Sequence, residues 1–461
     1  VGTIDPTPTP TATNTPGGPT NTPGGPTNTP GGPTNTPTST NTPGGPTNTP
    51  TSTNTPGGPT NTPVPSPTIT SVNPSSGAVG DNVVITGNYF VNVTSVTFSS
   101  SVAASYTVNS ATQITATVPA GAVTGVITVT TATGSATVGF TMKAWHDISS
   151  NLSPGSTPNL LDVDFSGNEV WIAGDTPGEL YHSTDGGTSF TPVPLPSPVY
   201  RSKLTASGGG TEYVTSLFAR DASDVWAVTS YSGGGRVLHW NGTALSAVGS
   251  TVSALNSICF PPSGNIGYCC GSSESSGYVY KIDISGPSVT SFDTPTGSLY
   301  INSIVFPVDS STGWTSTLQG HIDIYSGGAW TSANPPSSIE LESVYFIDNS
   351  NGWAVGVDSS PSGLILHSTT GNSWTRQNLP ASLNPGNISL IDVFFRNSQG
   401  WAVGTNLRKD LILYTTNSGE TWTVQYQSPS EVLFALLNAV YFDSNGVGYA
   451  VGNNKKIYKY Y

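Results

Sequence analysis

Chemistry at neutral pH needs carboxylates, imidazoles or thiols brought together, and this chain offers few such sets. Two pairs of acids stand two residues apart, Asp162/Asp164 and Glu340/Glu342. On a strand that spacing puts both carboxylates on one face, and two carboxylates flanking a bond are what a glycosidase uses. Any strand with a solvated face or turn-capping acids shows the same spacing, and the pairs are read that way. His182, His239 and His367 fall at equivalent places in a repeat described below, which is a regularity of packing rather than a lone catalytic base. The triple glycines at 208–210 and 233–235 are followed by neither a helix nor a Lys, so they form no phosphate cradle. The three cysteines are Cys259, Cys269 and Cys270. Cys259 and Cys269 lie on neighbouring strands, either as a cross-strand disulfide or as buried unpaired thiols. Zinc would want four ligands at paired spacings. No catalytic, cofactor-binding or metal-ligating residue is assigned.

Charge is sparse and uneven. Of 39 acidic and basic residues only Asp5 and Asp81 precede Lys143, and the net charge is -13. No basic face exists to neutralise a phosphate backbone, which excludes nucleic acid as the main partner. No run of 18 apolar residues occurs, so no membrane-spanning helix is expected. The start at Val1, without a charged or apolar leader, reads as a signal segment already removed. Charge at 8% with abundant Thr, Ser, Gly and Asn fits a secreted or cell-surface protein. Four sequons, at Asn92, Asn151, Asn241 and Asn387, are candidate N-glycosylation sites.

The elements that would position any such groups fall into three segments. Residues 1–66 repeat Thr-Asn-Thr-Pro with Gly-Gly-Pro or Thr-Ser separators. Each proline removes a donor and pushes its predecessor into extended geometry, so the expectation is an extended polyproline-II-like stem with Gly-Gly breaks. At about 3.1 Å per residue it would reach roughly 190 Å. Thr beside Pro is the composition of O-glycosylated stalks. The candidate O-glycosylation sites are Thr13, Thr15, Thr20, Thr22, Thr27, Thr29, Thr34, Thr36, Thr40, Thr42, Thr47, Thr49, Thr53, Thr55, Thr60 and Thr62.

Residues 67–142 read as short strands of alternating Val, Ile and Thr, such as 82–86, 95–98, 113–118 and 125–130, and predict a small β-sandwich. The run PTITSVNPSSGAVGDNVVITGNYF from Pro67, continued by SATQITATVP from Ser110, resembles an IPT/TIG domain. Pro74, Gly77, Gly80 and Gly87 stand where that family's turns fall. The resemblance implies an immunoglobulin-like spacer without a catalytic centre.

Residues 143–461 repeat another unit, clearest as LESVYFIDNSNGWAVG from Leu341, LIDVFFRNSQGWAVG from Leu390 and LNAVYFDSNGVGYAVG from Leu437. Weaker copies centre on Phe165/Trp171, Phe218/Trp226, Phe260/Tyr268 and Phe306/Trp314, making seven at intervals of 40 to 53 residues. Four strands per copy at this period predict a seven-bladed β-propeller, so the whole chain is expected to be all-β. The last copy lacks its fourth strand, and 144–148 is a strand without a blade. It is expected to pair into the last blade and close the ring.

This repeat resembles the Ycf48-like propellers and their relatives with BNR or Asp-box repeats. Ser183–Phe190 matches an Asp-box, Thr415–Trp422 matches with Asn for Asp, and Ser368–Trp374 is a shortened version. The resemblance implies turns in which Asp or Asn binds loop amides and the aromatic packs between sheets. Sialidases share these boxes but need three converging arginines. The six here, Arg201, Arg220, Arg236, Arg376, Arg396 and Arg408, differ in their positions within the blades. Ycf48-like proteins act in photosystem II assembly through a basic patch, which this acidic chain lacks.

The sequence therefore reads as a non-enzymatic, secreted or cell-surface structural glycoprotein with no cofactor. A stem without a core takes order only from sugars or neighbours, which points to head-to-tail self-association into an extracellular filament through the N-terminal region, with Val1 and Ile4 as candidate subunit contacts. The competing reading is a non-catalytic adhesin or carbohydrate-binding propeller on a glycosylated stalk; a glycosidase-like enzyme is the remaining alternative.

Overall fold

The computed structural model describes residues 63–461, apart from short stretches at 100–101, 153–156, 176–178, 198–211, 233, 274–275, 296, 298, 334, 337–338 and 359–361. The candidate O-glycosylation threonines, Val1, Ile4 and Arg201 lie outside the described residues. Residues Val64–Tyr461 form one compact unit that holds both folded domains.

Alternation of Val, Ile and Thr makes the first domain. In Asn82–Asn88 the side chains of Val83 and Ile85 are buried while their neighbours face outward, as a pleated strand with one apolar face requires. One sheet runs Thr68–Asn73, Asn82–Asn88, Gln113–Thr117, Tyr106–Ser110, and the other Ser76–Gly77, Gly134–Met142, Gly125–Thr131, Val93–Phe98, Val102–Ala103. Ile85, Phe98, Ile114, Ile127 and Phe140 fill the space between them. Gly87 stands inside a strand rather than at a turn, where a Cβ would overlap the Thr68 carbonyl oxygen.

Seven four-stranded sheets follow. Blade 1 is Leu160–Ser166, Glu169–Gly174, Glu179–Ser183 and Thr191–Pro194. Blades 2 to 6 span 213–252, 255–291, 301–332, 339–376 and 388–427. Blade 7 is Leu437–Phe442, Gly448–Gly452 and Lys456–Tyr460, completed by Trp145–Asp147. Trp145 pairs with Tyr460 and Asp147 with Tyr458, so the ring closes as the sequence predicts.

The letters of the repeat each have a geometric cause. The first glycine of GWAVG lies flat under the repeat's own Phe: at Gly267, Gly313, Gly352, Gly400 and Gly448 a Cβ would overlap the ring of Phe260, Phe306, Phe346, Phe395 and Phe442. The last glycine lies under the bulge of the inner strand, where a Cβ at Gly356 or Gly404 would overlap the carbonyl oxygen of Glu340 or Ser389. The Trp between them stacks on the Phe of the next blade. Trp314 meets Phe346 at 3.8 Å, Trp353 meets Phe395 at 3.5 Å and Trp401 meets Phe442 at 3.7 Å between ring centroids. Such pairs each contribute about 0.5–1.5 kcal/mol beyond burial.

Candidate functional site

Two concavities compete for the role. The first is the central channel of the propeller, about 250 Å³, lined by the two variable positions of L-x-x-V in every blade. Its acids are Asp162, Glu342 and Asp392, accompanied by Asn256, Asn302, Asn438 and the hydroxyls of Thr215, Ser216, Ser257, Ser303 and Ser343. The inner strands bulge there, which frees backbone groups that side chains of the preceding blade then satisfy. Asp162 accepts the Leu217 N–H at 2.9 Å and Asp392 the Val440 N–H at 3.0 Å. Asn256, Asn302 and Asn438 donate to the carbonyls of Ile301, Leu341 and Leu160 at 2.8, 3.0 and 2.7 Å. Thr215 donates to the Leu255 carbonyl at 2.9 Å, and Ser343 to Asp392 at 2.8 Å. The channel is a belt of stitches between blades.

Burial shifts its acids. It pushes Asp162 up to about 7, against the Leu217 amide and Ser216 hydroxyl that hold it down, and Asp392 up to about 6. Burial also raises Glu342, with the nearby Glu340 adding to the effect. Asp164, buried beside the channel, accepts the Phe165 and Ala219 N–H groups at 2.6 and 2.9 Å and is raised well above the usual range by burial. Asp162/Asp164 is thus neither a solvated nor a turn-capping pair; it sews blade 1 to blade 2.

The other sequence candidates are placed in the walls. Asp185 of the first Asp-box accepts the Ser189 N–H and the Ser183 hydroxyl at 2.9 and 2.7 Å, and Phe190 is buried. Asn417 accepts the Thr421 N–H at 3.0 Å, with Trp422 buried. Each box is also an acceptor for the preceding blade, a role that leaves no mark in the letters of the box. Trp314 donates to the Gly371 carbonyl, Trp353 to that of Ser418, and Tyr449 to that of Gly186, at 2.9, 3.1 and 2.7 Å. Trp171 faces blade 2, in which no Asp-box is found in the sequence, and its buried indole nitrogen has no hydrogen-bond partner. His182, His239 and His367 stack on Trp171, Trp226 and Trp353 at 3.9, 4.1 and 4.8 Å.

Arginines are likewise tied locally. Arg236 forms a buried bidentate pair with Glu212, while Arg220 and Arg376 pair with Asp224 and Asp358. The disulfide between Cys259 and Cys269 is corrected. Cys259 stands opposite Tyr268 and Cys269 opposite Ile258, a one-residue offset that sends the two thiols to opposite faces of the sheet. All three cysteines are free and buried, and burial pushes Cys259 up to about 12. Among the sequons Asn92 and Asn241 are exposed and Asn387 half-buried, whereas the Asn151 amide nitrogen that would carry sugar donates to the Gly187 carbonyl at 2.8 Å. Among the described residues no group of three or more His, Cys, Asp and Glu is placed to hold a metal ion, and no helix is long and apolar enough to cross a membrane.

The second concavity is a cleft of about 800 Å³ between the sandwich and blades 6 and 7. Trp145, Tyr414, Tyr426 and Tyr460 form its floor. Gln425 holds two indoles there, its side-chain oxygen accepting from Trp145 at 2.8 Å and Trp401 at 3.1 Å. Val79 and the loop 120–124 supply one wall. Thr416, Thr421 and the strand Thr423–Gln427 supply the other. Its ionisable lining groups other than tyrosine are Lys143 and His146.

Comparison with known proteins agrees with this architecture. The family model of the IPT/TIG domain matches residues 67–143, and that of the photosynthesis system II assembly factor YCF48 matches residues 323–431, the end of blade 4 through blade 6. The photosystem II assembly lipoprotein Ycf48 of Synechococcus sp. (strain CC9902) is 36% identical over 110 residues, which is 23% of this chain and 29% of that protein. The chain thus spans under a third of the length of that curated relative. YCF48 from Cyanidioschyzon merolae shares the fold with a TM-score of 0.51 at 16% identity, over 69% of this chain and 99% of that one. A streptogramin B lyase does so equally, with a TM-score of 0.51 at 16% identity over 69% and 97%. Residues 67–143 are therefore an IPT/TIG domain, joined to a seven-bladed β-propeller that carries the YCF48-type repeat over residues 323–431.

Proposed function

We propose that this chain is a non-catalytic structural subunit of an extracellular filament or appendage, a secreted or cell-surface glycoprotein whose propeller is displayed outward on the stem. The observation that carries this reading is the junction between the folded domains. Only Lys143 and Ala144 separate the last sandwich strand, Gly134–Met142, from the strand that closes the propeller. Neither is slack: the Lys143 N–H donates to the Gly77 carbonyl, and Ala144 exchanges hydrogen bonds with Tyr461. Ala78 packs in one apolar cluster with Trp145, Tyr414 and Tyr460. Load entering the sandwich passes straight into a strand of blade 7, an arrangement suited to bearing position and tension. Loosely tethered domains would be expected to move independently. Electron microscopy of the purified, natively glycosylated protein tests it: filaments that lengthen with concentration are expected, and discrete monomers at every concentration would sink the reading.

One observation favours the adhesin reading. Connections between second and third strands, and between blades, lie on the propeller face away from the Asp-box turns, and there Leu407, Leu433 and Phe434 are exposed, Phe434 to 73%. Leu407 and Phe434 hold left-handed backbones at φ 59° and 61°, a conformation of the kind that clusters at binding surfaces. Binding to cells or immobilised glycans that is lost in Phe434→Ser would support adhesion, and unchanged binding would remove this face from it.

A further inference from the structure

We infer that the cleft between the sandwich and blade 6 is a receptor for an uncharged, extended, proline-rich segment, and that the occupant is the Thr-Asn-Thr-Pro repeat of a second copy of this chain. It rests on the assembly reading only for the source of the segment.

Three features of the cleft ask for an extended chain. Its wall Thr423–Gln427 is the outermost strand of blade 6, bonded on one side to Lys409–Thr415 and, among the described residues, carrying no strand on the other. Such an edge offers backbone donors and acceptors to an added segment. Its floor is aromatic, with Trp145, Tyr414 and Tyr460 buried and Tyr426 half-buried, and the lining residue His146 stacks on the exposed Tyr461 at 4.3 Å. Aromatic-lined grooves take polyproline II because the ligand is already extended and loses little entropy on docking. Its apolar rim is open: Val123 is 63% exposed and Val79 stands exposed beside it.

The repeat matches in chemistry and reach. From residue 6 to residue 66 it carries no charge, so it brings no ion of its own to desolvate, and the cleft lining holds no carboxylate. Its carbonyls are rich acceptors, since proline keeps its C=O while losing its N–H, and the exposed Thr416 lies along the wall. A segment of this length, if extended at about 3.1 Å per residue, spans roughly 190 Å and can reach a neighbouring molecule.

The test places a photo-reactive phenylalanine analogue at Val123 in the full chain, mixes ¹⁴N and ¹⁵N copies, and maps cross-links by mass spectrometry, with Val108 as the control position. Heavy-to-light cross-links from position 123 to peptides within residues 13–62, absent at 108, are expected. Cross-links confined to one copy, cross-links that avoid the repeat, or none at all would overturn the inference. A synthetic TNTPGGPTNTPGGPTNTP peptide should bind the full chain, and Val123→Asp should weaken it about tenfold or more; equal binding to both proteins would also overturn it. Filaments without these cross-links would sink the cleft assignment and leave the assembly reading standing, whereas cross-linked pairs that never form filaments would do the reverse.

Discussion

The central channel and the interdomain cleft differ in what their polar groups are doing. The channel is the more polar and looks the more chemical, with three carboxylates in its wall. Yet Asp162, Asp392, Asn256, Asn302 and Asn438 are each committed to a backbone group of the following blade. The cleft has no carboxylate in its lining, and it leaves a strand edge unpaired among the described residues and an apolar rim exposed. A satisfied polar site is a fastening, and an unsatisfied apolar one is an invitation. Which residues could react is a poorer guide to binding than which groups remain unpaired.

The sharpest way to break this contrast is to cut a channel stitch. Asp392→Ala leaves the Val440 N–H and the Ser343 hydroxyl unpaired, and should cost about 2–4 kcal/mol in denaturant unfolding, since each orphaned buried group costs about 1–3 kcal/mol. A loss under 0.5 kcal/mol would show that the channel is not a fastening. Asp392→Asn keeps an acceptor and should lose less than half as much.

The second effect is one of pH. Asp162 and Asp392 have folded values of about 7 and about 6 against an ordinary value of 3.8. Raised carboxylates favour the fold when protonated, so their contribution is full below about pH 4 and lost as pH rises through 6 to 7. Asp348 runs the other way: its Asn351 and Ser350 hydrogen bonds outweigh burial and hold it near 2, so its contribution is present above about pH 4 and lost as pH falls toward 2. Thermal unfolding should show its highest Tm near pH 4 to 5, and the double variant Asp162→Asn/Asp392→Asn should flatten the decline between pH 4 and 7. A Tm that rises steadily from pH 4 to 8 would contradict the burial of these acids.

The smallest effect is expected at the cleft rim. Val123→Asp touches no buried group, so unfolding should change by less than about 0.5 kcal/mol. A loss of 2 kcal/mol would mean that the rim is part of the core and not an open surface.

What the sequence made legible follows from the same physics. The Phe and the two glycines of the repeat are fixed by contacts inside a blade, so they recur and can be recognised; so does the closing strand, because seven copies with one missing strand leave a single place for Trp145–Asp147. The variable positions of L-x-x-V hold no single letter throughout, since Asp, Ser, Thr and Asn all reach the next blade's bulge, and Asp162/Asp164 therefore read as surface acids. Of the two readings of Cys259 and Cys269, the disulfide falls on register, where a shift of one residue reverses every face, and the buried thiols stand. The cleft was invisible because it joins groups far apart in the chain, Trp145 and Gln425 being 280 residues apart.

Hydrogen exchange on the full chain, with and without the TNTPGGP-repeat peptide, tests the contrast most directly. The account predicts added protection at residues 120–124 and 421–427 and none on the inner strands that carry Asp162 and Asp392. Protection in the inner strands with an unchanged cleft would contradict it.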